Sequence, residues 1–236
     1  MRTKAKTINQ HQMLKELLQN NQHLFTDIFP FNLNQEKHHK LDLSIDNQAL
    51  YSIDLSSVEA LQQYISDCLR QTGAKYAIGG YNEDRLIYRK SKHFGEGEDA
   101  RSIHLGTDVW LAANTSLSAP IDGKIHSFKN NDVFGDYGPT IILEHCIEGT
   151  TFYTLYGHLS VDSLKGKSVG QEIKQGQLFA ELGNDQENGN WPCHLHFQIM
   201  ADMNGREGDF PGVSNQADRE NYLKTCPDPN LILKLK

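Results

Sequence analysis

His194-Leu195-His196-Phe197-Gln198-Ile199 alternates polar and apolar side chains without a break. In a strand, residues two apart point to the same side. Leu195, Phe197 and Ile199 therefore share one face, fit for a core, while His194, His196 and Gln198 share the other. A strand face with two adjacent imidazoles is either the solvated side of an amphipathic strand or part of a site. The period of two recurs upstream. Residues 77–81, 85–88 and 124–128 read as strands, and Asp122-Gly123 reads as a turn. Thr140 to Cys146 and Thr151 to Tyr156 read as a hairpin around Ile147-Glu148-Gly149-Thr150.

The first third of the chain reads differently. Leu14, Leu17, Leu18 and Phe25 have helical spacing, which predicts a helix over residues 9–24, broken by Phe29-Pro30-Phe31. Ser56 or Ser57 is a candidate N-cap for a second helix carrying Val58, Leu61, Tyr64, Ile65, Cys68 and Leu69, with Gly73 as its terminator. The expected fold is mainly β, α+β overall. An antiparallel β-sheet domain with an open groove is expected over residues 76–236, preceded by a helical N-terminal segment over residues 1–75.

The composition narrows the functional classes. The chain has 236 residues, 38% hydrophobic and 22% charged, which suits a folded domain with a real core. A net charge of −7 with scattered Lys and Arg is a poor match for nucleic acid. No apolar run approaches the roughly 20 residues of a membrane span, and the N-terminal stretch lacks the apolar core of a secretory signal. A cytoplasmic location is the expectation. The four cysteines have neither disulfide-framework nor CxxC spacing, so reduced thiols are expected.

The 11 histidines are the informative count. His104-Leu105-Gly106-Thr107-Asp108 pairs an imidazole with a carboxylate. Gly106 argues against a helix, and a glycine-containing loop entering a strand would fold Asp108 back beside His104. Leu155-Tyr156-Gly157-His158 ends an apolar strand in a histidine. A hydrolytic zinc site needs three protein ligands, one open position and a general base. His104, Asp108 and one histidine of the HLH pair supply the ligands, leaving the other and His158 for proton transfer. Cys193 is expected to face away and pack. His126 and His145 are expected on solvated strand faces, and Glu96, Glu98 and Asp99 in a solvated loop. Trp110 and Trp191, beside the metal motifs, are expected to pack in the core or in a groove wall.

The order H-x-x-x-D, Y-G-H-L-S and H-L-H-F resembles the M23 family of zinc metallopeptidases, the lysostaphin-like or LytM-like enzymes. Ser118 to Ile125, Val169 to Gly183, and Asp228-Pro229 with its apolar tail resemble that family's connecting segments. A closer likeness runs to M23-type domains fused to kinase-like and class III aminotransferase domains. It is carried by Asp136 to His145, Glu187 to Pro192, Gly208 to Val213 and Cys226 to Asn230. The resemblance implies one Zn2+ ion held by His104, Asp108 and His196. It implies His194 as general base toward a metal-activated water, His158 as its assistant, and a peptide or peptidoglycan-like substrate. Gln198 stands where the family commonly has Glu. Two other readings compete: a cytoplasmic zinc hydrolase of a small amide or phosphorylated metabolite, and a non-catalytic zinc-bearing binding module.

Overall fold

The computed structural model describes residues 13–90, 94, 95 and 100–236. The early part of the expected 9–24 helix, and Glu96, Glu98 and Asp99, lie outside the described residues. The strands in chain order are His38–Leu41 (β1), Tyr76–Gly79 (β2), Ile103–His104 (β3), Thr107–Trp110 (β4), Ser116–Ser118 (β5) and Gly123–Asn131 (β6). They continue with Gly138–Ile147 (β7), Thr150–Gly157 (β8), Glu172–Ile173 (β9), Leu178–Glu181 (β10), Leu195–Met200 (β11) and Val213–Ser214 (β12). Eight of them form one sheet in the order β1-β2-β4-β11-β8-β7-β6-β9. β1 pairs with β2 in parallel and the other pairings are antiparallel, so the fold is mainly β as expected.

The long hairpin follows from its turn. Ile147 pairs with Thr150, leaving Glu148 and Gly149 as a two-residue loop with φ of 50° and 76°. Two consecutive left-handed residues give the turn whose twist matches the flanking strands, and the glycine adopts it without a Cβ penalty.

Alternation along β11 divides two cores. Leu195, Phe197 and Ile199 join Val109, Ile141, Leu143 and Tyr156 on one face of the sheet. The other face meets a second cluster that includes Leu105, Tyr137, Ile142, Leu155 and Phe210. β11 is thus covered on both sides, and His196 and Gln198 are 3% and 0% exposed. That rules out the solvated-face reading of the HLH strand. It also moves two other residues. His145 is buried, because it shares its β7 face with Ile141, Leu143 and Ile147. His126 is half-buried at a bulge, where the β6–β7 register slips between Ile125 and Ser127.

The N-terminal third is built into this body. A helix at residues 13–20 (α1) places Leu14 and Leu18 in the same core as Phe197. The second helix, Val58–Thr72 (α2), starts where Ser57 Oγ accepts from the Ala60 N–H at 3.2 Å and ends at Gly73. Its buried Leu61 and Ile65 pack with Leu41, Ala77 and Trp110. The sheet crosses the expected boundary at residues 75/76, because β1 pairs with β2.

One expected strand is a helix. Residues 85–88 fall mostly in Leu86–Lys90 (α3). Leu86, Ile87 and Tyr88 are all buried, so the run has no solvated side. A short run with every residue inside carries no usable period.

Candidate metal centre

Four strands bring the candidate residues together. On β11, His196 stands opposite Asp108 of β4 on one side and Gly157 of β8 on the other. His158 follows β8 directly, and His194 precedes β11. His104 lies on β3, which pairs with β12 through Val213. All five residues named from the sequence fall within this one region. Gly106 allows the close approach: a Cβ there would lie 2.5 Å from His196 Cε1 and 2.8 Å from the Phe197 carbonyl oxygen.

His104 Nε2, Asp108 Oδ1 and His196 Nδ1 converge. The separations are 3.0 Å between the two nitrogens, 3.2 Å from His104 Nε2 to the carboxylate, and 3.0 Å from His196 Nδ1 to it. The opposite ring nitrogens determine what these atoms are. His104 Nδ1–H donates to the Gly80 carbonyl at 3.0 Å. Gln198 donates its amide to the Pro211 carbonyl at 3.2 Å, which turns Oε1 toward His196 Nε2 at 3.0 Å, and that nitrogen donates to it. A neutral imidazole protonated on one nitrogen offers a lone pair on the other. Three electron pairs therefore face one another with no proton between them.

A cation resolves that arrangement. Ligands about 2.0–2.1 Å from a tetrahedral zinc stand about 3.3–3.4 Å apart, slightly wider than these separations. Two imidazoles and a carboxylate are a common zinc donor set. The donor chemistry fits a zinc ion, and Gln198 orients the His196 ring as Glu would.

The electrostatics agree. Burial pulls the His104 imidazole down to about 4, with the Arg85 charge adding to it, so the ring is neutral. Burial alone would raise Asp108, but the facing His104 and the Arg85 guanidinium hold its carboxyl well below the usual range. Because His104 stays neutral, Arg85 is the lasting cause. Arg85 is 2% exposed, and its Nη1 lies 2.5 Å from Asp108 Oδ2.

His158 and His194 form a second pair with ring centroids 4.2 Å apart. His158 Nδ1–H donates to the Asn188 carbonyl at 2.8 Å, and His194 Nδ1–H donates to the Pro192 carbonyl at 2.7 Å. Each Nε2 is therefore a bare acceptor. His194 Nε2 lies 3.8 Å from Asp108 Oδ2, and its ring stacks on Trp110 at 5.3 Å. Burial lowers the basicity of both rings. At His158 the neighbouring His194 charge lowers it further, while Asp108 partly offsets burial at His194. His158 has a left-handed backbone, φ 61°, a conformation that costs a non-glycine residue on the order of 1 kcal/mol and is concentrated at functional sites.

A cavity of ≈350 Å³ is lined by Asp108, Tyr137, His158, Trp191, His194 and His196 among others. A second of ≈580 Å³ adjoins it through Leu61, Ile87, Phe94 and Trp191, so the N-terminal segment walls part of the approach. Both tryptophans line the first cavity, as expected for packing in a groove wall. Cys193 packs against the main core with its thiol on the Gly183 carbonyl, away from the metal ligands.

Sequence reasoning missed three residues here. Arg85 opened a run read as a strand, and Glu83 lay between two such runs and was not singled out. Tyr137 was noted only within a longer likeness; its hydroxyl is 3.5 Å from His196 Nε2, and burial raises its phenol well above its ordinary value. A lone cation in the apolar run Arg85-Leu86-Ile87-Tyr88 was the available signal for Arg85.

Residues 102–209 match the family model of Peptidase family M23. No curated protein matches the chain. Similar solved structures include a zinc-containing peptidase from Vibrio cholerae, 26% identical, with 48% of this chain and 30% of that one covered and a TM-score of 0.36. The catalytic domain of the antimicrobial peptidase lysostaphin from Staphylococcus simulans is 22% identical, with 66% and 94% covered and a TM-score of 0.41. Helicobacter pylori Csd3 is 22% identical, with 52% and 32% covered and a TM-score of 0.34. The alignment thus spans under a third of the Vibrio and Helicobacter chains.

Proposed function

We propose that this chain, which carries a Peptidase family M23 domain at residues 102–209 and is by that family a metallopeptidase hydrolase, cleaves peptide amide bonds with one zinc ion held by His104, Asp108 and His196. The observation that carries the reading is the convergence of three proton-free acceptor atoms within 3.2 Å of one another. When bound, zinc supplies Lewis-acid polarisation of the amide carbonyl and activates a water.

The protein's own groups handle the protons. His194 Nε2 is bare and its Nδ1–H is tied to the Pro192 carbonyl, so the ring is oriented to take a proton at one atom. It accepts that proton as the water oxygen bonds to the carbonyl carbon. It returns the proton to the amide nitrogen as the C–N bond breaks, releasing a neutral amine. His158 Nε2, held the same way by Asn188, accepts a hydrogen bond from the water and fixes its position. With the rings 4.2 Å apart, a charge on one disfavours a charge on the other, so the pair carries one proton at a time. Tyr137 and Gln198 keep His196 in its ligating tautomer.

The family supports a peptide of the peptidoglycan type as substrate. The test is purified protein analysed for metal by mass spectrometry and assayed on synthetic cross-linked peptides. We expect about one zinc per chain and cleavage that stops on chelation and returns with Zn2+. A metal-free chain that still cleaves would overturn the reading.

A further inference from the structure

Asp108 has two carboxylate oxygens, and the structure divides them. Oδ1 faces the two imidazole nitrogens, whereas Oδ2 accepts from Arg85 Nη1 at 2.5 Å. Arg85 lies outside the residues that match the peptidase family. Its guanidinium is fully enclosed, and Nη1 also reaches the Tyr88 hydroxyl at 3.2 Å. Its Nε donates to Glu83 Oε2 at 2.9 Å, and Glu83 Oε1 in turn accepts from the Leu43 N–H at 3.2 Å. The segment is clamped to the ligand strand: the Arg85 N–H donates to the Ser102 carbonyl, and the His104 N–H to the Glu83 carbonyl, both at 2.9 Å.

We propose that Arg85 is a positioning residue that fixes Asp108 as a one-oxygen metal ligand, and that Glu83 cancels the charge Arg85 brings. The inference rests on the metal reading above. A carboxylate ligates through one oxygen or both, and a buried one left without a donor rotates freely between the two. Arg85 occupies the second oxygen and removes that choice. A lone guanidinium here would repel a dication. With Glu83 beside it, Arg85, Glu83 and Asp108 together carry the charge of a single carboxylate. Outer partners of this kind orient first ligands and affect metal affinity by about 10- to 100-fold.

The experiment is a Co2+ titration of the metal-free full chain, reading affinity against a chelator and the intensity of the visible d–d band, which falls as coordination number rises. The double variant Glu83→Gln with Arg85→Met removes the pair without changing net charge. We expect Co2+ affinity lower by about 10- to 100-fold and a weaker band, as the freed Oδ2 enters coordination. A folded double variant with the original affinity and band overturns the inference. If the double variant does not fold, Glu83→Gln alone decides. It keeps Arg85 on Asp108, so we expect affinity about tenfold lower with an unchanged band, and unchanged affinity overturns the inference. A natural protein that binds no Co2+ overturns the metal reading itself, and this inference with it.

Discussion

His145 and His194 are both buried histidines whose Nδ1–H donates to a backbone carbonyl, Asp122 at 3.0 Å in one case and Pro192 at 2.7 Å in the other. They differ at the other nitrogen. His145 Nε2 accepts from the Thr154 hydroxyl at 2.7 Å, which completes the ring's hydrogen bonds. His194 Nε2 faces a cavity, with Asp108 Oδ2 at 3.8 Å, beyond hydrogen-bond reach. Burial lowers the basicity of both. What separates a structural from a chemical histidine here is the unspent lone pair, not burial or a shifted pKa.

The largest expected effect lies where three such lone pairs meet. Asp108→Ala removes the anionic ligand and leaves Arg85 facing two imidazoles. Zinc content should fall to background and peptide cleavage with it, measured by metal analysis and product chromatography. Next comes His194→Ala. Loss of a general base costs about 10²- to 10⁴-fold in kcat. Zinc content should stay at one per chain, which separates this residue from the ligands. His158→Ala should cost less, about tenfold to a hundredfold, because the general base remains in place.

His145 gives the smallest effect and the sharpest contrast. Burial holds its imidazole at about 4 against an ordinary value of 6.5. Between those values the unfolded chain takes up a proton that the folded chain refuses. Its contribution to stability is therefore complete above about pH 6.5 and is lost as pH falls toward 4. By pH 5 the loss is roughly 2 kcal/mol. Urea unfolding of His145→Gln should show that much less destabilisation between pH 7 and pH 5 than the natural protein, with zinc content unchanged. Equal acid sensitivity would erase the contrast with His194.

The site was legible because its residues sit on strands or directly at their ends. The period of two placed His194 and His196 on one face, and Gly106 signalled the turn that returns Asp108 to His104. The same rule could have placed His145, since it shares parity with Ile141, Leu143 and Ile147. Arg85 was legible only as a lone cation in an apolar run, and its role was not. Its partner Asp108 is 23 residues away, and only the folded sheet makes a buried cation tolerable there. The α3 run was misread because burial on every side erases periodicity. The N-terminal third was foreseen as helical, but not its β1 strand, whose sequence His38-His39-Lys40-Leu41 is too polar to signal an edge strand.

The central claim is that His104, Asp108 and His196 close on one metal ion. Crystals of the purified protein, measured on both sides of the zinc absorption edge, test it directly. The account predicts a single anomalous peak about 2.0–2.2 Å from His104 Nε2, Asp108 Oδ1 and His196 Nδ1. A peak held instead by His158 and His194, or none in protein that cleaves peptide, would contradict it.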